Sequence, residues 1–397
     1  MAFFAGVFIR ETGVRMKISR LLRQLDVPLV LFVIALAVIS IVAISGATYT
    51  IDPVYLKQQI YWYGLGILLL AATLLFDYRV LAQGRFVYLL YGFGLFLLVL
   101  VMIPGVGTSA KGAQQWLKIG AFQFQPSEFM KLFLIILLAK VTSEVKRLPI
   151  RDWKTLGKLS GLFALPFFLV LIQPDLGTAL VLLGIAASVL LVAGLDWRII
   201  LAGLSSVTVL VGGVLTLYFT DHPLLHTLLQ DHQIERIETF VNPASDPSGA
   251  GYQLTQSMIA VGSGQLSGKG FHNGTQAQGK WIPEPHNDFI FAVFAEEFGF
   301  IGGSLLLCTF IFLLYRMVKV GLQCEERFGA YIVAGVIGMI VFQVFQNIGM
   351  TVGILPITGL PLPFISYGGS ALLMEMVAIG LVLNIGMRRN DEFLFRD

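Results

Sequence analysis

Long apolar runs dominate this sequence, and they constrain its fold more than any motif does. A helix needs about 20 apolar residues to cross the hydrocarbon core of a bilayer. Hydrophobic residues make up 56% of the 397-residue chain and charged residues only 13%, too few charges to cover a soluble domain of this length. We therefore predict an all-α polytopic membrane protein with ten transmembrane helices. The runs fall at 28–46, 58–76, 86–103, 127–145, 160–173, 176–195, 198–219, 288–315, 329–352 and 367–387.

The distribution of basic residues predicts the orientation of these runs. Of the 27 Lys and Arg residues, 20 fall in segments on the side of the N-terminus and six on the opposite side. Because basic residues are concentrated in cytoplasmic segments, both termini are predicted to be cytoplasmic. The connecting segments that then lie on the outer face, where any chemistry is expected, include 104–126, 173–177, 220–287 and 353–366.

The same pattern divides the chain into three parts. Residues 1–27 are predicted to be a cytoplasmic N-terminal segment, in which 1–15 are interpreted as an extension without a structural role. Residues 28–387 form a single ten-helix membrane domain that includes the outer loop 220–287, and residues 388–397 form a cytoplasmic tail. The two cysteines do not make a disulfide framework.

A polar segment runs directly into the eighth apolar run and places an acid at the junction. It reads Trp281-Ile282-Pro283-Glu284-Pro285-His286-Asn287-Asp288, and its prolines predict that the helix begins after Pro285. Asn287 or Asp288 is then a candidate for the helix N-cap. The alternative is a functional acid, because an ionisable side chain at the edge of an apolar helix is rarely without a role.

Two further acids of the same helix are not predicted to act together with Asp288. Glu296 and Glu297 follow it by eight and nine residues. At about 100° per residue they lie about 80° and about 180° around the helix from it. Asp288 is therefore expected to act without a second carboxylate of its own helix.

Other polar residues occur where lipid would make them costly. Glu128 and Lys131 are three residues apart on one helix face, so they are expected to pair. The pair either stabilises helix packing or lines a hydrophilic cavity below the outer surface. Asp175 lies in a turn between two helices and has either a structural role there or a place in the cavity.

The ninth and tenth runs also contain polar residues. Gln343, Gln346 and Asn347 form a stripe that we interpret as interhelical hydrogen bonding. Glu375 has no sequence neighbour of opposite charge, so its partner is expected on another helix that the sequence does not identify.

These motifs, taken together and in order, resemble the SEDS family of membrane proteins (shape, elongation, division and sporulation). The Asn-Pro and Asp-Pro pairs resemble its RodA branch more than its FtsW branch. The matching residues are Trp116-Leu117, Phe124-Gln125-Pro126-Ser127-Glu128, Gln173-Pro174-Asp175-Leu176-Gly177, Arg236-Ile237, Asn242-Pro243, Asp246-Pro247, Gly251-Tyr252-Gln253, Gly268-Lys269-Gly270, Pro283-Glu284, His286, Asp288-Phe289 and Ser366-Tyr367-Gly368-Gly369-Ser370.

The resemblance implies a peptidoglycan glycosyltransferase that polymerises lipid II at the outer face of the cytoplasmic membrane, for cell elongation and shape. The essential loop acid of the family corresponds to Asp288, its conserved tryptophan to Trp116, and its buried acid–base pair to Glu128 and Lys131. Asn287 departs from the threonine that usually precedes the acid, and we interpret it as tolerated variation. His286 and Ser366 are further candidates for the cavity.

The implied chemistry needs a general base and a cation. Asp288 is the candidate base that takes the proton of the acceptor 4-hydroxyl, in an inverting reaction without a covalent intermediate. The diphosphate leaving group requires positive charge, supplied by basic residues or by a divalent cation (Mg²⁺ or Mn²⁺). No cluster has metal-ligand spacing in the sequence. Trp116 either stacks on a sugar or belongs to an interfacial aromatic belt. The basic candidates on the outer side are Lys269, Lys280, Lys111, Lys118 and Arg236.

Two other functions fit parts of the same evidence. Many helices with intramembrane charges also suit a flippase for a lipid-linked cell-wall precursor, and a non-catalytic scaffold for a penicillin-binding protein is the other alternative. The expected partners are lipid II, the nascent glycan strand, a class B penicillin-binding transpeptidase and membrane lipids, but no nucleic acid.

Overall fold

The structure, a computed structural model, describes residues 24–104, 107–110, 113–120, 122–146, 148–229 and 231–388. The predictions for residues 1–23, for most of the C-terminal tail and for Lys111 lie outside these ranges.

Ten long helices occur in the described residues, and each overlaps a predicted run. They are α1 (Val27–Thr48), α2 (Val54–Leu75), α3 (Phe86–Val101), α4 (Pro126–Ser143), α5 (Trp153–Ile172), α6 (Leu176–Val192), α7 (Trp197–Phe219), α8 (Ile290–Leu322), α9 (Arg327–Thr351) and α10 (Gly369–Met387). Most ends agree within a few residues, but α5 begins seven residues before its run and α8 ends seven residues after its run. A short helix, Arg79–Ala82, lies between α2 and α3.

Seven of these helices are long and apolar enough to cross a membrane: α1, α2, α5, α7, α8, α9 and α10. The helices α3 and α6 are apolar but shorter, with 16 and 17 residues. The 18-residue helix α4 carries Glu128, Lys131 and Lys140. The chain is therefore an integral membrane protein, whereas the total of ten spans and their orientation stay predictions.

The helices α4 and α9 form the centre of the bundle. Nearly every residue of α4 is buried, and α9 packs against α4, α6 and α8. Helix α10, which is also largely buried, lies along α2, and α8 lies along α1. Helix α7 differs from the others because it has no buried residue. A helix that is apolar on all sides and packs on so little protein is suited to face lipid.

The outer segment between α3 and α4 contains a small sheet that an all-α fold class does not include. Its strands are β1 (Gly107–Ala110), β2 (Ala113–Ile119) and β3 (Phe122–Phe124), antiparallel in the order β1-β2-β3. Gly120 supplies a left-handed φ of 62° at the turn after β2. These strands are short and mixed in polarity, so they contain no long apolar run and the sequence did not predict them.

The long segment 220–287, which is predicted to lie outside, is folded in its described residues. Its helices are Leu224–Leu228, Asp231–Val241, Ala250–Ser263 and Thr275–Gln278, with a 3₁₀ turn at Pro243–Ser245. The helix Ala250–Ser263 packs against α8, so the segment rests on the bundle.

Candidate active site

A large cavity opens among the segments that the charge pattern places outside. Its volume is about 1520 Å³, larger than the usual range of about 300–1,000 Å³ for small-molecule pockets. Its walls come from the start of α2, the sheet, the residues around the starts of α4 and α6, the helices Asp231–Val241 and Ala250–Ser263, the turn before α8, and residues 357–361 and 367–371.

Asp288 lines this cavity from the turn that precedes α8. The helix begins at Ile290, and the capping position is Phe289, which has no capping side chain. The interpretation of Asn287 or Asp288 as the N-cap is therefore wrong, and the predicted start at residue 288 is two residues early. Because of the prolines and the polar turn, the helix begins only after the acid.

The main chain on both sides of Asp288 is held by buried side chains. Asn347 on α9 donates from Nδ2 to the Asp288 carbonyl oxygen at 2.8 Å. The hydroxyl of Ser366 donates to the Asn287 carbonyl oxygen at 2.7 Å. Gly359, which has a left-handed φ of 72°, lies against the carboxylate, since a Cβ there would be 3.6 Å from Asp288 Oδ2. Asp288 is thus placed by backbone contacts from two other parts of the chain.

His286 and Glu284 line the cavity next to Asp288. The His286 ring lies 4.2 Å from the ring of Tyr55, and its carbonyl oxygen accepts the Tyr367 amide at 2.9 Å. Glu284 Oε2 accepts a hydrogen bond from Asn287 Nδ2 at 2.7 Å. The turn is therefore fixed by local bonds as well as by the bundle.

Glu128 and Lys131 form a closed, buried ion pair with 2.7 Å between Oε2 and Nζ. Glu128 lines the cavity, whereas Lys131 does not. The geometry contains both features that were weighed as alternatives: an ion pair within α4 and a carboxylate at the cavity wall.

Asp175 likewise combines two roles. Its Oδ1 accepts the Thr178 amide at 2.9 Å and so caps α6, and its Oδ2 accepts from Gln125 Nε2 at 3.3 Å. It also lines the cavity. Burial raises the pKa of the Asp175 carboxyl above its usual range, and the hydrogen bonds from Thr178 oppose that rise only in part.

Trp116 and Arg236 line the cavity from the sheet and from the helix Asp231–Val241. Among the described residues of its wall, Arg236 is the only lysine or arginine. The site thus combines an aromatic face, a guanidinium and carboxylates around one large space.

The remaining basic candidates lie elsewhere. Lys269 Nζ is 2.6 Å from Glu296 Oε1 and 2.6 Å from Thr275 Oγ1, so it fastens the outer segment to α8. Lys280 and Lys118 are exposed and do not belong to the cavity wall. Ser366 supports Asn287 from behind the wall. Only Arg236 of the described cationic candidates is therefore available to a ligand in this space.

Four carboxylates face the cavity, from Glu128, Asp175, Glu284 and Asp288. Glu296 and Glu297 bind the outer segment instead, through the Gln276 and His272 amides. Within the described ranges, no group of three or more His, Cys, Asp or Glu side chains is arranged to hold a metal ion. We therefore assign no metal ligands and derive no step through a cation.

The polar stripe of α9 contributes to the site in a way that the sequence did not predict. Gln346 Nε2 donates to the Pro356 carbonyl oxygen at 3.1 Å, and Asn347 Nδ2 donates to the Leu360 carbonyl oxygen at 2.7 Å. These bonds go to a connecting segment, not to a neighbouring helix as expected. Gln343 has no hydrogen-bond partner in the described part of the chain. The sequence signal for this role was the polar stripe itself, which lies near the C-terminal end of α9.

Comparison with known proteins gives a consistent result over nearly the whole chain. Residues 22–391 match the family of the cell cycle proteins FtsW, RodA and SpoVE. The chain is 36% identical to stage V sporulation protein E of Bacillus subtilis over 368 residues, which cover 91% of this chain and 96% of that protein. It is also 36% identical to the peptidoglycan glycosyltransferase MrdB of Escherichia coli K12 over 367 residues, which cover 92% of this chain and 94% of that protein.

A solved structure shows the same architecture. It comes from a study of how a peptidoglycan synthase complex coordinates polymerization and crosslinking, and its matching chain is 34% identical in sequence with a TM-score of 0.78. The match covers 93% of this chain and 99% of that one.

Proposed function

This chain belongs to the FtsW/RodA/SpoVE (SEDS) family, and from that premise we propose that it is a peptidoglycan glycosyltransferase that polymerises lipid II. The reaction takes place at the outer face of the bacterial cytoplasmic membrane, in the cavity lined by Asp288. The observation that carries the proposal is the meeting of Asp288, Arg236 and Trp116 at one cavity of about 1520 Å³.

Asp288 acts as the general base of the reaction. Its carboxylate takes the proton from the 4-hydroxyl of the acceptor sugar as that oxygen attacks the anomeric carbon of the growing strand. The new bond joins this oxygen to the anomeric carbon, and the bond from the anomeric carbon to the diphosphate oxygen breaks. One base and direct displacement give inversion at that carbon. The bonds from Asn347 and Ser366 support this role because they fix the main chain that carries the carboxylate.

Arg236 stabilises the charge that develops on the leaving group. The electron pair of the broken bond leaves with the polyprenyl diphosphate, and a guanidinium binds such oxygens through two parallel hydrogen bonds. Its position on the wall supports this role, since the other described lysine and arginine side chains lie outside it. Trp116 offers a flat apolar face against which a sugar ring can stack.

The biological setting follows from the same family. We propose that the enzyme crosses the membrane ten times, with both termini in the cytoplasm, and serves cell elongation as the RodA branch does. Its partner is a class B penicillin-binding transpeptidase that crosslinks the strands. The similarity to a chain from a synthase complex that polymerises and crosslinks peptidoglycan supports this partnership.

Polymerisation of lipid II by the purified full-length protein, with and without the transpeptidase, tests the proposal. Asp288→Asn is expected to lower the rate by at least about 100-fold, the range of general base catalysis. Glu238→Gln is the matched control, because Glu238 is exposed on the outer segment and does not line the cavity. It is expected to keep the wild-type rate.

A folded Asp288→Asn protein that polymerises lipid II as fast as the wild type would overturn the catalytic assignment. A protein that moves labelled lipid II across vesicle membranes, unaffected by that substitution and without making strands, would indicate a flippase instead. Stimulation of the transpeptidase by a protein that makes no strands itself would indicate the scaffold.

A further inference from the structure

The uncharged outer segment 353–368 forms part of the cavity wall and is bound to the bundle through its backbone. Ser40 on α1 donates to the Ile365 carbonyl oxygen at 2.8 Å. Gln59 on α2 donates to the Ser366 carbonyl oxygen at 3.3 Å, and the Tyr63 hydroxyl donates to the Phe364 carbonyl oxygen. These side chains are donors, so each of them binds a carbonyl group.

Glu375 supplies the opposite kind of bond, since it accepts from an amide of the segment. It lies on α10 with only 3% of its surface exposed, and its Oε2 accepts the Phe364 amide at 2.8 Å. The other oxygen, Oε1, has no hydrogen-bond partner among the residues that the structure describes. The charge of Lys131, which pairs with Glu128, also acts on Glu375. The hydrogen bond from the Phe364 amide is therefore the contact that orients this carboxylate.

Phe364 is the point where the segment needs such a contact. Its φ of 64° lies in the left-handed region, which residues with a side chain seldom adopt, and its ring is buried. Such a conformation persists only when the surroundings determine it. Glu375 holds the amide of this residue and Tyr63 holds its carbonyl, so the two helices fix the turn from both sides.

The turn at Phe364 is connected to the main chain before the proposed base through three further hydrogen bonds. Ser366 Oγ accepts the Leu362 amide at 2.8 Å and donates to the Asn287 carbonyl oxygen at 2.7 Å. The Tyr367 amide donates to the His286 carbonyl oxygen at 2.9 Å. The main chain immediately before Asp288 is therefore attached to the turn that Glu375 stabilises.

We propose that Glu375 is a positioning residue, which sets the turn at Phe364 and through it the placement of Asp288. It does not line the cavity, so it acts through the backbone and not on the substrate. The inference rests on the proposed function insofar as Asp288 is the base. The structural part, that Glu375 orders residues 362–367, is measurable without any activity.

The experiment compares the wild type with Glu375→Gln, Glu375→Leu and Leu383→Ala in the full-length protein. Glutamine keeps an oxygen that accepts the Phe364 amide, whereas leucine does not. Leu383 is buried on the same helix, about two turns from Glu375, so its truncation destabilises α10 without touching the segment. The readouts are hydrogen exchange of the peptides that cover 360–367 and 284–289, and kcat and KM with lipid II.

Glu375→Leu is expected to raise exchange in both peptides and to lower kcat at least tenfold with KM changed less than threefold. Glu375→Gln is expected to keep the exchange pattern and most of kcat. Leu383→Ala is expected to lower the unfolding temperature without either effect. Wild-type exchange at 360–367 in Glu375→Leu, or equal losses in the glutamine and leucine variants, would overturn the proposal. A wild type that makes no strands would refute the proposed function, while the exchange data would still decide the role of Glu375 in the turn.

Discussion

Asn347 binds Asp288 through the main chain, with 2.8 Å between Nδ2 and the carbonyl oxygen. The same nitrogen binds the Leu360 carbonyl oxygen at 2.7 Å. One amide near the C-terminal end of α9 therefore joins the turn that carries the proposed base to the segment 353–368. The main chain of the proposed base is thus held by a residue that does not itself line the cavity.

Asn347→Leu is expected to lower kcat at least about tenfold. The substitution leaves two buried carbonyl groups without their donor, at a cost of about 1–3 kcal/mol each, and frees the turn at Asp288. Gln346→Leu is the matched control, because Gln346 binds the Pro356 carbonyl oxygen and not that of Asp288. Steady-state kinetics with lipid II make the comparison, and equal losses of kcat in the two variants would contradict this role for Asn347.

Arg236→Ala is expected to lower kcat about 100-fold, the effect of removing one group that stabilises developing negative charge. Arg236→Lys is expected to recover part of the rate, since an ammonium supplies the charge without the paired geometry. Lys118→Ala serves as the control because Lys118 is exposed and does not line the cavity. If Lys118→Ala and Arg236→Ala slowed the enzyme equally, the assignment of Arg236 to the leaving group would fail.

Lys131→Met is expected to destabilise the protein by about 3–5 kcal/mol, because it leaves the Glu128 carboxylate buried without a counter-charge. The double variant Lys131→Met with Glu128→Gln is expected to regain much of that loss. Thermal unfolding of the four proteins in one detergent measures the coupling between the two positions. Simple additivity of the two single changes would show that the 2.7 Å contact does not couple them.

Asp175→Asn is expected to weaken the dependence of stability on pH. Burial raises the pKa of Asp175 in the folded protein, so the folded state holds this proton more tightly than the unfolded state does. The stabilisation is complete below the unfolded pKa of about 3.9 and is lost as pH rises through the raised folded value.

Asparagine caps a helix about as well as aspartate and does not ionise, so it keeps the cap of α6 and removes this loss. Unfolding temperatures between about pH 4 and about pH 8 are the measurement. Identical slopes in the wild type and in Asp175→Asn would show that Asp175 contributes nothing to the pH dependence.

The helices of this protein were predictable because each depends on a local pattern. An apolar run of about 20 residues is recognisable wherever it lies, and the ten runs correspond to α1–α10 within a few residues at most ends. The Glu128–Lys131 pair was predictable for the same reason, since its members are one helical turn apart. The sheet was missed because its short strands depend on pairing with one another.

The supports of the site were not predictable, because their partners are far away in the chain. Asn347 and Asp288 are 59 residues apart, and Ser366 and Asn287 are 79 residues apart. The sequence indicates that a buried amide needs a partner but not which carbonyl will be nearest. Lys269 shows the converse. The sequence made it a candidate for binding the substrate, but in the structure it is paired with Glu296.

The attachment of Lys269 to Glu296 divides the segment 220–287 into two halves with different contacts. The half that carries Arg236 borders the cavity, and the half around Thr275–Gln278 is anchored to α8 by buried acids. Lys280 is exposed at the end of the anchored half. A fluorophore or tether attached there would lie outside the cavity, whereas one attached near Arg236 would enter it.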